Sequence, residues 1–127
     1  MTRPTYYMTE TALVHLEKAI RDTARRWNWR QAEIYRDILL EGFQKIAENH
    51  QHFNSPHRAT LTKDTNFSIH LVGHHYVPFK AYDGNNVIIA GLFYEGMNIP
   101  ERLKELQSMN QHEIAAIMSL IETRLRH

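Results

Sequence analysis

The feature that most constrains the fold is an unbroken apolar run at residues 87–93, Val-Ile-Ile-Ala-Gly-Leu-Phe, followed by Tyr-Glu-Gly-Met-Asn. A short run that is apolar at successive positions predicts a strand covered on both faces, at the centre of a sheet. Two amphipathic helices precede this run in the chain. The order strand, helical hairpin, sheet therefore predicts an α+β fold, with the antiparallel helical hairpin packed on a small, mainly antiparallel sheet.

Periodicity places the elements before the sheet. Residues 5–8 are aromatic and predict a short strand. A first helix, capped by Thr9 or Thr11, has apolar residues at steps of three and four, namely Leu13, Leu16, Ile20, Ala24 and Trp27. A second helix begins near Arg30 and repeats this spacing at Ala32, Tyr35, Leu39, Phe43 and Ile46, with Ile34 and Ile38 widening the stripe. Between them, Asn28 is expected to end the first helix in a left-handed conformation.

The apolar period changes to two at residue 67, after a polar segment, residues 50–66, that predicts a loop. Phe67, Ile69 and Leu71 alternate with polar residues and indicate a half-buried strand. Residues 75–82 predict a second strand, and Asp-Gly-Asn-Asn at 83–86 predicts the hairpin turn before the apolar run. Pro78 conflicts with this assignment, because proline removes a ladder donor and belongs at an edge or a bulge.

The C-terminal part predicts two more helices, at residues 101–109 and 111–126. The second has one apolar stripe, formed by Ile114, Ile117, Met118, Ile121 and Leu125. Such a stripe either covers a hydrophobic surface of the same chain or pairs with a second copy or a partner helix. A homodimer through the C-terminal helix is one of these expectations.

Composition sets the class of protein. The chain has 127 residues and no cysteine, which excludes disulfides, thiolate metal sites and a cysteine nucleophile. It has no apolar N-terminal block and no run of about eighteen apolar residues. These features predict one soluble, cytoplasmic domain that does not engage a membrane.

Charge is unevenly distributed along the chain. Residues 1–30 contain six lysines and arginines against three carboxylates, although the formal net charge of the whole chain is only +1. From residue 67 to residue 99, Lys80 is the one lysine or arginine, against Asp83 and Glu95. The predicted sheet thus has no cationic stripe for phosphates, which counts against a nucleic-acid enzyme.

Four motifs in succession carry a family resemblance. They are Tyr6-Tyr7-Met8-Thr9 leading into Ala12 and Leu16, Trp27-Asn28-Trp29 followed by Ala32 and Tyr35, residues 72–80 (Val-Gly-His-His-Tyr-Val-Pro-Phe-Lys), and residues 92–98 (Leu-Phe-Tyr-Glu-Gly-Met-Asn). In order and spacing they resemble the ParE branch of the RelE/ParE superfamily, the toxin halves of bacterial toxin–antitoxin pairs. The resemblance implies a toxin domain at residues 1–103 and a C-terminal helical extension at residues 104–127.

The chain departs from the family pattern at its closing motif. Tyr94, Gly96 and Asn98 stand where the family usually has histidine, arginine and aspartate, and Pro78 stands where an aromatic residue is usual. The tail after Leu103 has no counterpart in the typical toxin.

The resemblance implies a binding protein without a cofactor or chemistry of its own, which poisons DNA gyrase and is silenced by a cognate antitoxin. The antitoxin is expected to be a partly disordered chain that orders in the groove between hairpin and sheet. The expected floor of that groove is Leu13, Leu16, Ile20, Tyr35 and Phe79. The expected target-binding residues are Tyr94, Glu95, Met97, Asn98 and Arg102.

The alternative is a RelE-like endoribonuclease that cuts mRNA on the ribosome, which needs a base, an acid and cations around the phosphate. Its candidate catalytic residues are Lys80 and Tyr94, with Arg58, Lys63, His74 and His75 as distant reserves. We prefer the simpler interpretation, that Tyr94 is an amphipathic strand-end residue and Lys80 a solvated lysine. A third hypothesis is a protein without toxicity that serves as a partner-binding or repressor-assisting module.

Two further groups of residues invite a functional interpretation. Histidines at positions 50, 52, 57, 70, 74 and 75 suggest a metal, but they do not converge at a ligand spacing and no metal site is predicted.

Trp27 and Trp29 have the composition of an exposed recognition pair. Because Trp27 continues the apolar stripe, we expect it to pin the helical hairpin on the sheet, while the sequence leaves Trp29 undecided.

Overall fold

The computed structural model describes residues 3–52 and 56–126 and has the predicted α+β architecture. Its elements are β1 (Thr5–Met8), α1 (Glu10–Arg26), α2 (Trp29–Asn49), α3 (Pro56–Leu61), β2 (Ser68–Val72), β3 (His75–Ala81), β4 (Asn86–Ile89), β5 (Phe93–Tyr94), α4 (Ile99–Met109) and α5 (Gln111–Leu125). The segment predicted as loop at residues 50–66 was assigned wrongly in part, because a 3₁₀ turn at His50–His52 and the short helix α3 lie within it.

Side-chain caps determine where the helical hairpin begins and turns. Thr9 Oγ1 accepts a hydrogen bond from Ala12 N at 3.0 Å and so caps α1. Asn28 is extended, with φ −175°, and its Oδ1 accepts from Gln31 N at 2.8 Å. Asn28 therefore begins α2 rather than ending α1 in the left-handed region, which corrects the sequence expectation.

The sheet has the strand order β1-β4-β3-β2. β1 runs parallel to β4, and the other pairs are antiparallel. β4 lies between β1 and β3 and is buried at all four positions, as the apolar run predicted. β5 pairs with β3 at Tyr76↔Phe93 and His75↔Tyr94.

The predicted single strand at residues 87–93 is interrupted, and Pro78 explains where. Pro78 lies opposite Ala90, and its carbonyl accepts from Ala90 N at 2.9 Å. The return bond is missing because proline has no N–H. Thr9 Oγ1 replaces it, donating to Ala90 O at 3.2 Å. Pro78 thus stands in an inner strand at the position where regular pairing ends, and a residue from the start of α1 satisfies the freed carbonyl.

Two hydrophobic clusters lie on opposite faces of the sheet. The first lies between the sheet and the α1–α2 hairpin and includes Leu39, Phe43, Val77 and Phe79. The second lies between the other face and the C-terminal helices and includes residues 88 and 93 of the sheet with Ile99, Leu103, Leu106, Ile114 and Ile121 of α4 and α5. Alternation along β3 therefore directs Val77 and Phe79 to the hairpin and Tyr76 to the tail.

The tail is attached to the body by polar contacts as well as by apolar packing. Glu113 of α5 accepts from Thr11 N at 2.7 Å and from Thr11 Oγ1 at 2.8 Å, which places a carboxylate at the N-terminus of α1. Arg124 donates to Tyr7 Oη at 3.2 Å and lies over the Tyr7 ring. Of the two roles predicted for the apolar stripe, the structure has it covering the sheet of its own chain.

Candidate functional site

A groove of about 470 Å³ lies at the turn end of the helical hairpin. We call it the hairpin groove; α1, α2, the β2–β3 turn and β5 form it. Its lining residues are Ala19, Asp22, Thr23, Arg26, Trp27, Gln31, Ile34, Tyr35, Ile38, His74, His75, Tyr94 and Met97. Ile34 and Ile38 are 45% and 43% exposed, so the floor offers apolar surface that the described part of the chain leaves open to solvent.

Tyr35 and the two histidines of the β2–β3 turn form a hydrogen-bonded network on the wall of this groove. The Tyr35 hydroxyl accepts from His74 N at 3.1 Å and lies 2.5 Å from His75 Nδ1. Burial lowers the pKa of His75, and His74 nearby lowers it further. In neutral His75 with Nδ1 unprotonated, Nδ1 accepts a hydrogen bond from the Tyr35 hydroxyl. Burial raises the pKa of Tyr35, so that hydroxyl keeps its proton.

Close packing fixes the position of the Tyr35 side chain. Gly73 has φ +59°, and a Cβ at that position would lie 2.7 Å from Tyr35 Cε1. His74 Nδ1 lies 3.0 Å from Glu95 Oε1, which ties the turn to the closing motif. The network therefore holds the groove wall in one arrangement across three separate chain segments.

A second cavity of about 330 Å³ adjoins the hairpin groove and shares Ala19, Asp22, His75, Tyr94 and Met97 with it. Its own lining adds Lys18, Arg102 and His15. His15 Nδ1 accepts from Leu92 N at 3.1 Å, and burial lowers the His15 pKa against the opposing effect of Glu113. The two cavities form one continuous depression with a mixed polar rim.

The residues predicted to bind an antitoxin do not form one surface. Tyr35 lines the hairpin groove. Leu16 and Phe79 are buried in the cluster beneath the hairpin, and Ile20 packs against it. Leu13 is exposed but does not line the groove. Sequence periodicity thus predicted mostly residues that are buried beneath the hairpin. The open floor of the groove is formed instead by Ile34 and Ile38, which flank the apolar stripe of α2.

The residues predicted to bind a target lie at or beside the same depression. Tyr94 and Met97 line both cavities, and Arg102 lines the second. Glu95 pairs with His74. Asn98 instead has a structural contact, since its Oδ1 accepts from Glu101 N at 3.4 Å and caps α4.

Lys80 and Tyr94, the candidate ribonuclease pair, lie on opposite faces of the sheet. Tyr94 pairs with His75 on the hairpin face, and their rings are 6.0 Å apart. Lys80 is five residues further along β3, about 17 Å away, and alternation turns it to the tail face. There it lines a separate cavity with residues of α4 and α5. The two side chains therefore do not meet at one phosphate.

Trp27 contradicts the sequence expectation that it pins the hairpin on the sheet. Its side chain is 70% exposed, and that of Trp29 is 66% exposed. Trp27 is the C-terminal cap of α1, and it lines the hairpin groove instead of the core. In the described part of the chain, no group of three histidine or acidic residues is placed to hold a metal. The side chain of His57 lies outside that part.

Comparison with known proteins identifies the family. The profile of the family described as "ParE toxin of type II toxin-antitoxin system, parDE" matches residues 6–99. The chain belongs to the ParE toxin family. The match ends where α4 begins, so most of α4 and all of α5 lie beyond it.

A solved structure has the same fold. It is described as "Chromosomal ParDE TA system from P. aeruginosa", with a TM-score of 0.59 and 12% sequence identity, over 72% of this chain and 95% of the other. At this identity the likeness concerns the fold alone. A search of curated proteins finds no match. No helix within residues 3–52 and 56–126 is long and apolar enough to cross a membrane.

Proposed function

We propose that this ParE family member is the toxin of a toxin–antitoxin pair, that it inhibits DNA gyrase by binding, and that its antitoxin silences it by filling the hairpin groove. The family match over residues 6–99 is the observation that carries the proposal. If gyrase is its target, the protein acts in the cytoplasm. Residues 1–103 form the toxin domain in this proposal, and residues 104–127 form an extension that covers the sheet.

The hairpin groove supports the antitoxin part of the proposal. Its floor contains Ile34, Tyr35 and Ile38, and polar side chains such as Asp22 and Arg26 surround that floor. An amphipathic segment places an apolar face on such a floor and its polar face outward. A segment that is disordered before binding fits this surface, because ordering it costs entropy that apolar burial in the groove offsets.

Part of the closing motif proposed to bind the target lines the groove proposed for the antitoxin, which suggests how silencing works. Tyr94 and Met97 belong to the closing motif proposed for the target, and they also line the hairpin groove. An antitoxin segment in the groove would cover both side chains. We therefore propose that antitoxin and gyrase exclude each other from the same surface.

A supercoiling assay tests the gyrase proposal. The purified chain is expected to inhibit gyrase, and Tyr94→Ala is expected to weaken inhibition about tenfold, the loss of one good contact. Met109→Ala is the matched control, because Met109 is exposed on α4 and lines neither cavity. Cleavage of ribosome-bound mRNA by the chain, while gyrase continues to supercoil, would refute the proposal in favour of the endoribonuclease.

Antitoxin binding is tested separately with the cognate partner. Ile38→Asp is expected to weaken the complex at least about tenfold, since it puts a charge on the apolar floor. Leu120→Asp on α5 is the control, being similarly exposed outside the groove. A larger effect from Leu13→Asp than from Ile38→Asp would place the antitoxin on the opposite flank of α1. Normal growth on expression without antitoxin would instead favour the non-toxic binding module.

A further inference from the structure

The turn of the helical hairpin has the sequence Arg-Arg-Trp-Asn-Trp-Arg, residues 25–30, which we call the hairpin tip. All six residues are exposed. Residues 23–32 contain these three arginines and no carboxylate. Six residues span at most about 20 Å even when extended, so the backbone positions of the two tryptophans and three arginines lie within that distance.

None of the three arginines forms a salt bridge with a described residue. The nearest carboxylates in sequence are Asp22 and Glu33, each three positions from the tip. Lys18 holds Asp22 at 2.6 Å, and Arg25 is a weaker cause of the lowered pKa of Asp22. Within the described residues, the three guanidinium groups of the tip are therefore available to pair with an external anion. Arg25 and Arg26 also stand in the last turn of α1, where the helix dipole favours cations.

The indoles are unexplained by the interior of the protein. Trp27 and Trp29 belong to neither hydrophobic cluster, and both are largely exposed only two positions apart. An occupant of the hairpin groove would touch Trp27 and Arg26, but Arg25, Trp29 and Arg30 do not line that groove. An occupant of the groove therefore does not account for these three side chains of the tip.

We propose that the hairpin tip binds single-stranded DNA. Arginines pair with phosphates, and exposed aromatic rings stack on unpaired bases, which together form the common platform for single strands. An intact duplex keeps its bases stacked on one another and so offers no base face to the indoles. The choice of DNA over RNA rests on the proposed gyrase target, because the tip chemistry itself fits any single strand.

The chain reports directly on this site, since Trp27 and Trp29 are its only tryptophans. Titration of the full chain with an oligo-dT strand of about twenty nucleotides is expected to quench the intrinsic fluorescence, with Kd of about 1–100 µM at low salt. The matching duplex is expected to bind at least about fivefold more weakly, because it lacks the stacking contribution. Equal binding of the duplex, or tighter binding of oligo-rU, would overturn the proposal.

Matched triple variants separate the tip from general charge. R25A/R26A/R30A is expected to weaken binding of a labelled oligo-dT strand about tenfold or more, and to flatten the salt dependence by about 2 in log–log slope. K45A/K63A/K104A removes the same charge from exposed sites elsewhere and is expected to change neither quantity. Equal weakening by both variants would show non-specific attraction and overturn the proposal.

Two other ligands compete with this inference. Anionic vesicles that shift the tryptophan emission while oligo-dT does not would make the tip a membrane-surface element. A poly-glutamate peptide that displaces oligo-dT at equal charge concentration would make it a site for acidic protein. Either result overturns DNA binding. The supercoiling assay is independent, so a failure of gyrase inhibition leaves the measured oligo-dT affinity unaffected.

Discussion

At the scale of single residues, Thr9 joins three parts of the fold through one buried side chain. Its hydroxyl caps α1 and also satisfies Ala90 O, which Pro78 leaves without a donor, and its backbone N–H donates to Ile89 O. The side chain is 1% exposed, so water cannot replace these bonds. A polar residue that looked like an ordinary helix cap therefore also closes the gap in the sheet.

Thr9→Val is expected to lower the free energy of unfolding by about 2–3 kcal/mol, through loss of the cap and burial of an unpaired carbonyl. Urea denaturation measures this change. Thr9→Ser, which keeps the hydroxyl, is expected to lose less than half as much. A Thr9→Val protein as stable as the original would mean that the hydroxyl does not support both elements.

Two half-buried histidines make stability depend on pH. Burial lowers the pKa of both His15 and His75 below the ordinary value of 6.5, so the folded protein favours their neutral forms. Each also uses Nδ1 as an acceptor, from Leu92 N and from the Tyr35 hydroxyl. Between the folded pKa and about 6.5 the unfolded chain binds more protons.

Because the folded pKa values are depressed, the free energy of unfolding is expected to be maximal above pH 6.5 and to fall as the pH drops through the folded values. H15N/H75N keeps an acceptor atom near each Nδ1 position without a titrating ring, and is expected to reduce this slope in urea melts between about pH 7 and 5. His112→Asn, at an exposed position of α5, is the control. Unchanged slope in the double variant would contradict the assignment.

At the scale of elements, α2 lies unusually close to β2, and Gly42 allows it. A Cβ at Gly42 would overlap the side chain of Val72. Glycine costs a helix interior about 1 kcal/mol relative to alanine, so its presence here serves packing rather than helix formation. The groove depends on this approach, because Tyr35, two turns earlier in α2, reaches the β2–β3 turn.

Gly42→Ala is expected to destabilise the fold by about 1–3 kcal/mol despite its better helix propensity, because the added methyl group overpacks the interface. In a Val72→Ala background the same change is expected to cost less, since the space is then available. A double-mutant cycle in urea measures the coupling between the two positions. Additive effects would indicate that α2 moves to accommodate the methyl group.

At the scale of the whole molecule, the C-terminal extension completes the core. Ile114 and Ile121 are buried against the tail face of the sheet, and Glu113 and Arg124 tie α5 to Thr11 and Tyr7. The sheet consequently has helices on both faces. The homodimer through α5 stays a prediction, although Ile114 and Ile121 of its stripe are already used within the chain.

Truncation after Met109 is expected to expose the tail face of the sheet, giving poor solubility or a loss of at least about 3 kcal/mol in the free energy of unfolding. Calorimetry and light scattering measure stability and mass in solution. Removal of residues 126 and 127 alone is the control and is expected to change little. If the truncated chain had half the mass in solution of the full-length chain and unchanged stability, α5 would instead be a dimer interface.

A milder pair of substitutions addresses the same contact if the truncated chain does not fold. Ile121→Ala is expected to cost about 2–5 kcal/mol, as for a fully buried isoleucine, whereas Leu120→Ala beside it is half-exposed and is expected to cost much less. Equal effects would mean that α5 does not pack as described.

The sequence by itself determined the family, the order of most elements and most element boundaries, because periodicity, caps and turn residues act within a few positions of one another. The apolar run predicted the central strand, and the stripe at residues 114–125 predicted a helix with one face to bury. The prediction that Trp27 pins the hairpin on the sheet was wrong, because an apolar stripe does not show which of its end positions extend beyond the core.

Tertiary structure alone decided which residues share a site. Lys80 and Tyr94 are close candidates in sequence, yet the sheet puts them on opposite faces. The hairpin groove brings together residues from four chain segments. Thr9, 81 positions before Ala90, donates to the Ala90 carbonyl that Pro78 cannot satisfy. Contacts of this kind depend on strand register and on which face each layer covers, and both are set by packing of the whole chain rather than by any local pattern.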